Sequence, residues 1–253
     1  MISIFLAAIS TFQLINILLL MTALFIGFRI IETTWSYKIS KPYAWDTTVK
    51  EGTVPDLLKK IESRYRDKVR FYTFWFQIER LKKENVPGAF AEVGVYKGET
   101  ARMIHAMDPS RVFHLFDTFT GFSKEDLQAE KSTEAKYSTE NFSDTSIETV
   151  KAFIKGNEQI QFHAGYFPGT TQGLTEKSYA FVHIDADLYS PTIAALTYFY
   201  PKLSPGGVIM VHDYNHTWEG AERAIREFTA GIPEVLVEVC DWQGSILIVR
   251  NRI

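Results

Sequence analysis

The sequence is poor in cysteine and in net charge, and both shortages exclude classes of protein. Cys240 is the single cysteine among 253 residues, so neither an intrachain disulfide framework nor a cysteine-based metal site can form. We expect this side chain to be a small buried core residue. The formal net charge is -3 and the basic residues are scattered along the chain. Without a basic surface, nucleic acid is not an expected partner.

Charged side chains are also missing from the first 28 residues. An apolar helix of about 20 residues is long enough to cross a bilayer, and the basic start and small-residue cleavage site of a signal peptide are not seen. We therefore predict a transmembrane anchor over residues 1–30, with a single pass. Because basic residues follow the segment, beginning with Arg29, the positive-inside rule puts the remaining chain in the cytoplasm. The alternative, which polar residues such as Gln13 leave open, is an apolar helix that packs on the domain or on a second subunit.

Residues 31–85 are predicted to form a linker followed by helices. From Glu32 to about Thr53 the sequence is polar with aromatic residues and one proline, which is typical of a linker rather than of a packed element. Apolar residues then recur at helical spacing over residues 54–84. They lead into an aromatic group that we assign to the core, formed by Phe71, Tyr72, Phe74, Trp75 and Phe76.

Residues 86–253 are predicted to form an α/β domain, because strand-like and helical segments alternate there in the manner of a parallel sheet. Strands are predicted near residues 89–93, 112–116, 160–164, 179–184, 208–211, 235–239 and 246–249. Crossover helices are predicted near residues 99–106, 146–155, 192–203 and 220–229. Residues 123–144 are rich in Lys, Glu, Ser and Thr with little apolar periodicity, so we expect a long mobile loop or lid.

Two of the predicted strands are each followed by ionisable residues. Asp185 and Asp187 follow one strand, and His212 and Asp213 follow the next. Parallel strands put their carboxyl ends on the same edge of a sheet, which is where open α/β sheets bind ligands. The four side chains should therefore meet in one crevice, where a cation, a proton or a hydrogen-bond donor must join the acids. This pattern predicts an enzyme with a metal site or a general base, and the alternative for the first acidic pair is a helix cap.

A glycine-containing turn follows the first predicted strand and leads into a helix. Gly94 and Gly98 allow close approach of a ligand, and the helix amino terminus offers free N–H groups. Their Gly-x-x-x-Gly spacing differs from the Gly-x-Gly-x-x-Gly of dinucleotide binders, which argues against a nicotinamide enzyme. Asp117, at the end of the second strand, is placed to accept hydrogen bonds from ribose hydroxyls. The alternative is a turn or helix-cap aspartate.

Six short motifs occur in a characteristic order between residues 88 and 250. They are Ala-Glu-Val-Gly-Val-Tyr-Lys-Gly from Ala91, Phe-Asp-Thr-Phe-Thr-Gly-Phe from Phe116, Gly-Tyr-Phe-Pro-Gly-Thr from Gly165, His-Ile-Asp-Ala-Asp-Leu-Tyr from His183, Leu-Ser-Pro-Gly-Gly from Leu203 and His-Asp-Tyr from His212. In their order and spacing they resemble the macrocin O-methyltransferase family. The resemblance implies a Rossmann-like class I methyltransferase fold, with a mostly parallel sheet of seven strands and an antiparallel last strand. It also implies S-adenosylmethionine as the cofactor, with magnesium assisting methyl transfer to hydroxyls of sugars.

The resemblance further implies three groups of cofactor contacts. The methionine end would be held by Glu92, Gly94 and Gly98. Asp117 would hold the ribose, and the adenine would lie near Gly165, Tyr166 and Phe167.

By the same resemblance, Asp185 matches a ligand of magnesium or another divalent cation, and Asp187 matches the proposed general base. His212 and Asp213 would supply further ligands. The family usually has two adjacent acids at this second position, whereas this chain has a histidine first. An imidazole is a poor ligand for a hard cation, so His212 is also a candidate for the base.

We therefore predict an S-adenosylmethionine-dependent O-methyltransferase with a small-molecule or glycan substrate, tethered to a membrane by its first helix. The tether favours a lipid-linked or envelope glycan as the acceptor, because it concentrates the enzyme at that surface. A homodimer is the commonest assembly for such a chain. Two alternatives stay open: a membrane-tethered binding or scaffolding module that has lost catalysis, which the His212 departure favours, and a nucleotide-sugar oxidoreductase.

Overall fold

The structure is a computed structural model that describes residues 10–36, 41–130, 137–215, 217 and 219–252. It divides into two compact units, Met1–Thr47 and Thr48–Ile253. Helix α1 (Thr11–Ser36) lies in the first unit. Within it, Thr11–Glu32 has a mean hydropathy of 2.3 and is not buried inside the protein. A helix that spans a membrane has the same two properties. Residues 1–9 of the predicted anchor lie outside the described residues.

The prediction of a linker up to residue 53 was wrong for its second half, where helix α2 (Tyr43–Lys50) forms. Trp45 is almost fully buried, and Val49 lies one helical turn further on the same face. Asp46 in the first turn and Lys50 in the last turn both stabilise the helix through favourable interactions with its dipole. The polar composition of this segment predicted a linker, but one buried tryptophan, Trp45, packs the segment as a helix.

Two helices, α3 (Asp56–Arg64) and α4 (Lys68–Lys83), precede the sheet. They divide the region predicted to be helical over residues 54–84. The break is fixed at Asp67, whose side chain accepts a hydrogen bond of 2.9 Å from the backbone N–H of Arg70 and so caps α4. The assignment of the aromatic group to the core is confirmed for four residues, but Phe76 is 43% exposed.

Within the described residues, seven strands form one sheet in the order β3-β2-β1-β4-β5-β7-β6. The first five are parallel to one another, and β7 runs antiparallel between β5 and β6. Their bounds are β1 (Ala89–Val93), β2 (Phe113–Asp117), β3 (Ile160–Ala164), β4 (Tyr179–Ile184), β5 (Leu203–Val211), β6 (Val237–Val239) and β7 (Ser245–Val249). This confirms the predicted fold class. The strand order reverses between β1 and β4, and in such sheets the crevice at this point is the ligand site.

Among the described residues, five further α-helices accompany the strands. Their bounds are α5 (Glu99–Met107), α6 (Lys124–Ala129), α7 (Ile147–Ile154), α8 (Tyr189–Phe199) and α9 (Glu219–Thr229). Every residue of β1 and β4 is buried, which is typical of parallel strands covered on both faces.

Two further predictions, one about residues 123–144 and one about Cys240, need correction. The segment 123–144, predicted to be a long mobile loop or lid, contains α6, which Ser123 caps by accepting a 3.0 Å hydrogen bond from the backbone N–H of Asp126. Residues 131–136 of that segment lie outside the described residues. Cys240 is exposed rather than buried, because β6 ends one residue before it.

Candidate functional site

A cleft of about 450 Å³ lies at the carboxyl ends of β1, β2, β4 and β5. Its walls include nine of the residues that the sequence analysis selected. They are Gly94, Asp117, Gly165, Tyr166, Phe167, Asp185, Asp187, His212 and Asp213. Glu92 and Gly98 do not line it. The structure thus brings together the glycine turn and both acidic pairs, as the parallel sheet predicts.

The glycine turn touches the first acidic pair directly. Gly94 has a φ of +87°, and a Cβ built there would lie 1.9 Å from the backbone oxygen of Asp185. No L side chain fits at that distance, so glycine allows β1 and β4 to converge at their ends. Gly98 faces the opposite way, because a Cβ there would lie 2.8 Å from a methyl carbon of Val150. Its contact is with α7 and not with the cleft.

Asp117 connects the end of β2 to the glycine turn. One carboxylate oxygen accepts hydrogen bonds from the backbone N–H groups of Val95 (2.7 Å) and Tyr96 (2.8 Å). The other accepts from the backbone N–H of Phe119 at 2.6 Å. Each oxygen of a carboxylate has two acceptor positions, so Asp117 can hold the turn and still accept one more hydrogen bond in the cleft. Its contact with a ribose stays a prediction.

Glu92 lies behind the cleft wall. It is fully buried and pairs in register with His183 of β4, whose Nδ1 lies 2.8 Å from its Oε1. Burial, followed by the nearby charge of Asp185, raises the pKa of Glu92 well above its usual range. Burial, followed by the charge of Arg70, lowers the pKa of His183 well below its usual range. The structure therefore gives Glu92 a protein partner, and a direct contact with the cofactor stays a prediction.

The acidic residues after β4 and β5 form one cluster with His212. Its Nδ1 lies 3.0 Å from Asp185 Oδ1 and 3.2 Å from Asp213 Oδ1. Burial opposes the charged form of His212, but the two carboxylates outweigh it and raise its pKa to about 9. Burial raises the pKa of Asp187 well above its usual range, and the neighbouring Asp213 and Asp185 raise it further. The Asp187 side chain hydrogen bonds to that of Asp213, so the two acids lie side by side in the cleft.

Sequence reasoning missed Arg70, which belongs to α4 and lines the cleft. Its Nη2 donates a 2.7 Å hydrogen bond to Asp185 Oδ2 and lies 3.1 Å from His183 Nε2. Burial would raise the pKa of Asp185, but the charges of His212 and Arg70 outweigh it and hold that pKa well below its usual range. The available signal was an isolated arginine between Val69 and Phe71 in an aromatic helix, since a charge on an apolar face needs a partner.

Comparison with known proteins identifies the family of this chain. The sequence model described as Macrocin-O-methyltransferase (TylF) matches residues 66–248. The chain belongs to the macrocin O-methyltransferase family. Membership in this family shows that the enzyme is an O-methyltransferase and not a nucleotide-sugar oxidoreductase.

Two relatives and one solved structure illustrate the similarity to this family. The chain is 30% identical over 183 residues to mycinamicin III 3''-O-methyltransferase of Micromonospora griseorubida, across 66% of this chain and 70% of that protein. It is 28% identical over 148 residues to 8-demethyl-8-(2,3-dimethoxy-alpha-L-rhamnosyl)-tetracenomycin-C 4'-O-methyltransferase of Streptomyces olivaceus, across 54% of this chain and only 57% of that relative. The structure of the O-methyltransferase NovP aligns with a TM-score of 0.61 and 26% identity, across 73% of this chain and 81% of NovP.

The macrocin O-methyltransferase family implies magnesium, and the cluster can be tested for it. Ligand atoms of Asp185, His212 and Asp213 lie within 4.8 Å of one another, which is close enough for a shared ion. Magnesium, however, requires near-octahedral oxygen coordination, and one of these three groups is an imidazole. In addition, Asp185 is already bonded to a guanidinium. These side chains do not fit a resident magnesium ion, and we derive no chemical step from one.

The segment 137–145 closes the side of the cleft next to the glycine turn. The Phe142 ring lies edge-on to Tyr96 at 5.0 Å and to Phe122 at 5.2 Å. Asp144 accepts hydrogen bonds from Tyr96 Oη at 2.7 Å and from Lys97 Nζ at 2.6 Å. These contacts tie the segment to residues that follow Gly94, and Phe142 lines the cleft there.

Asp144→Ala is expected to speed the release of a ligand from the cleft without changing the fold. Asp144 is 65% exposed, and exposed ion pairs are weak, so we expect at most a few-fold faster dissociation of S-adenosylhomocysteine. Stopped-flow displacement measures this rate. Glu158→Ala, which removes an exposed acid outside the cleft, should leave the rate unchanged; an equal acceleration by both variants would show that the Asp144 contacts do not restrain the segment.

Proposed function

We propose that this chain is an S-adenosylmethionine-dependent O-methyltransferase that methylates a hydroxyl of a sugar-containing small molecule or a glycan. The observation that carries the proposal is the position of Asp187 and Asp213, which share one cleft with the Gly94 turn where the strand order reverses. The relatives support a sugar acceptor, since one is named for methylation of a rhamnosyl tetracenomycin. In this reading the glycine turn and Asp117 bind the cofactor, and the acids face the acceptor.

Methyl transfer requires an in-line approach of the acceptor oxygen and removal of its proton. The oxygen–carbon bond forms as the carbon–sulfur bond of the sulfonium breaks, and the hydroxyl proton passes to a base. We assign Asp187 as this base because it lines the cleft beside Asp213. His212, the other candidate, directs its Nδ1 to Asp185 and Asp213 and has no free acceptor on that side.

The backbone at both acids supports a functional role. Asp187 has a φ of 60° and Asp213 a φ of 63°, a left-handed conformation that is uncommon outside glycine. Such strain persists where the surrounding structure holds a residue in place, and it is concentrated at functional sites. Here it directs two carboxyl groups from neighbouring strands toward each other.

Calorimetric titration of the full chain in detergent with S-adenosylhomocysteine tests the proposal. We expect saturable binding with one cofactor per chain. A folded protein that does not bind S-adenosylhomocysteine would overturn the proposal. Binding that is never accompanied by methyl transfer to any sugar-containing acceptor would instead favour the scaffolding alternative.

We further propose that α1 is a single-pass membrane anchor and that the methyltransferase unit is cytoplasmic. Its length and mean hydropathy support a span, and Arg29 after the most apolar stretch supports the orientation. A homodimer stays a prediction.

Substituting lysine for both Leu19 and Leu20 is expected to release the protein from membranes. Each lysine at the centre of a span costs about 2.5–3.5 kcal/mol, whereas isoleucine at the same positions keeps the segment apolar. Alkaline carbonate extraction of membrane fractions measures the outcome. We expect the unchanged chain and the isoleucine variant to stay in the pellet and the lysine variant to become soluble; an unchanged chain found in the soluble fraction would contradict the anchor.

A further inference from the structure

Both carboxylate oxygens of Asp185 already face nitrogen atoms of the protein. Oδ2 accepts a hydrogen bond from Arg70 Nη2 at 2.7 Å, and Oδ1 lies 3.0 Å from His212 Nδ1. The Arg70 side chain is 9% exposed, so little water weakens its attraction to Asp185. A cation that bound Asp185 would have to share the carboxylate with these two donors.

His212 presents a donor rather than a lone pair to the acids around it. Its Nδ1 lies between Asp185 Oδ1 at 3.0 Å and Asp213 Oδ1 at 3.2 Å. Ionised carboxylates only accept hydrogen bonds, so the nitrogen between them carries a hydrogen. A histidine must be unprotonated at the nitrogen that ligates a metal. In this geometry His212 is a hydrogen-bond partner of the acids, and its Nδ1 is not available to an ion.

Arg70 also brings a fixed positive charge to the place where a metal would bind. The guanidinium does not lose its proton in proteins. A divalent ion on Asp185 would therefore lie beside a second cation in a nearly buried site, where repulsion between charges is strong. The same guanidinium reaches His183, which in turn bonds Glu92. Arg70 thus connects α4 to β4 and, through His183, to β1.

We propose that the Arg70 guanidinium, with the Nδ1–H donor of His212, takes the place of a divalent cation at this acidic cluster, and that methyl transfer by this chain needs no added metal. Arg70 is then a positioning residue: it fixes Asp185 next to Gly94 and takes no part in bond making. The inference rests on the proposed function and specifies how its acidic cluster is neutralised.

Binding of Mn²⁺, followed by electron paramagnetic resonance, tests the inference without an acceptor. For the full chain in detergent we expect millimolar Mn²⁺ to keep its free-ion signal. We also expect the calorimetric affinity for S-adenosylhomocysteine to be the same with Mg²⁺ as with a chelator. Stoichiometric Mn²⁺ binding that Asp185→Asn removes would overturn the inference.

Two variants should create the metal site that the wild-type chain excludes. Arg70→Met frees Asp185 Oδ2 and removes the competing charge, and His212→Asp restores the adjacent acids usual in the family. Each is expected to bind Mn²⁺, and the ion should raise the melting temperature of each variant but not of the wild type. A merely structural role of Arg70 would not produce this ion-dependent gain. If Arg70→Met does not fold, His212→Asp still decides the question.

Matched controls separate charge from folding. Arg70→Lys retains a cation and should exclude Mn²⁺ as the wild type does. Arg80→Met removes another arginine of α4, one that bonds Glu84 and the backbone oxygen of Gly206, and should not create a site. If neither Arg70→Met nor His212→Asp binds Mn²⁺, these two groups are not what excludes the ion and the inference is wrong. Failure of the folded wild type to bind S-adenosylhomocysteine would instead overturn the proposed function.

Discussion

Asp187→Asn is expected to lower kcat for methyl transfer by about 100- to 10,000-fold, the usual contribution of a positioned general base. Asparagine has nearly the same shape as aspartate and can donate to Asp213, so the cluster should keep its geometry. It cannot accept the proton of the acceptor hydroxyl. The affinity for S-adenosylhomocysteine should therefore be unchanged, because the Gly94 turn and Asp117 bind the cofactor in the proposed arrangement. Transfer of labelled methyl to a sugar-containing acceptor, with calorimetry of cofactor binding, measures both quantities.

Two further variants identify the cause of a loss in activity. Asp108→Asn changes another buried carboxylate, one that bonds Ser110 and Arg111 far from the acidic cluster in sequence, and should leave kcat unchanged. His212→Gln tests the other candidate base. If Asp187→Asn retains wild-type kcat while His212→Gln loses it, the base is His212 and the assignment is wrong. A combined loss of kcat and cofactor affinity in Asp187→Asn would indicate a role in the structure of the cleft.

The sheet and the meeting of the acids could be predicted because both follow from local pattern. The predicted bounds of β1, β3 and β4 match the structure. β1 and β4 are mainly apolar runs, β3 alternates apolar and polar residues, and each strand is followed by a glycine or an aspartate. Strand β5 was harder to predict: it begins at Leu203 and not near residue 208. The sequence Ser-Pro-Gly-Gly there is typical of a turn, but Gly206 takes a φ of +80° and the pairing with β4 shifts register between Tyr179 and Phe181.

The partners of the acids could not be predicted, because they come from distant parts of the chain. Arg70 and Asp185 are separated by 115 positions, and only the packing of α4 on the sheet brings them together. The bond between Glu92 and His183 depends on which residues of β1 and β4 stand opposite each other. Both strands are buried on both faces, so they have no hydrophobic alternation from which that register could be predicted. Sequence motifs therefore located the site, but the arginine that bonds Asp185 is seen only in the structure.

Gly94→Ala is expected to abolish cofactor binding and to destabilise the fold. Two effects add at this position. The left-handed backbone costs a non-glycine residue about 1–3 kcal/mol, and a Cβ would lie 1.9 Å from the backbone oxygen of Asp185. Because that neighbour is backbone and not a flexible side chain, β1 and β4 must separate at the ends that form the cleft. Thermal unfolding and calorimetric titration with S-adenosylhomocysteine measure the two consequences.

Gly173→Ala isolates the first effect, because Gly173 has nearly the same φ, +82°, but no atom within 4 Å of its built Cβ. We expect this control to lower the melting temperature by about 2–4 °C per kcal/mol of strain, as for other domains of this size, and to bind the cofactor normally. Gly94→Ala should lower it further and bind no cofactor. If the two variants melt together and both bind S-adenosylhomocysteine, the contact between Gly94 and Asp185 does not shape the cleft. A difference between them would show that the close approach of β1 to β4, rather than the left-handed turn alone, is what the cofactor site requires.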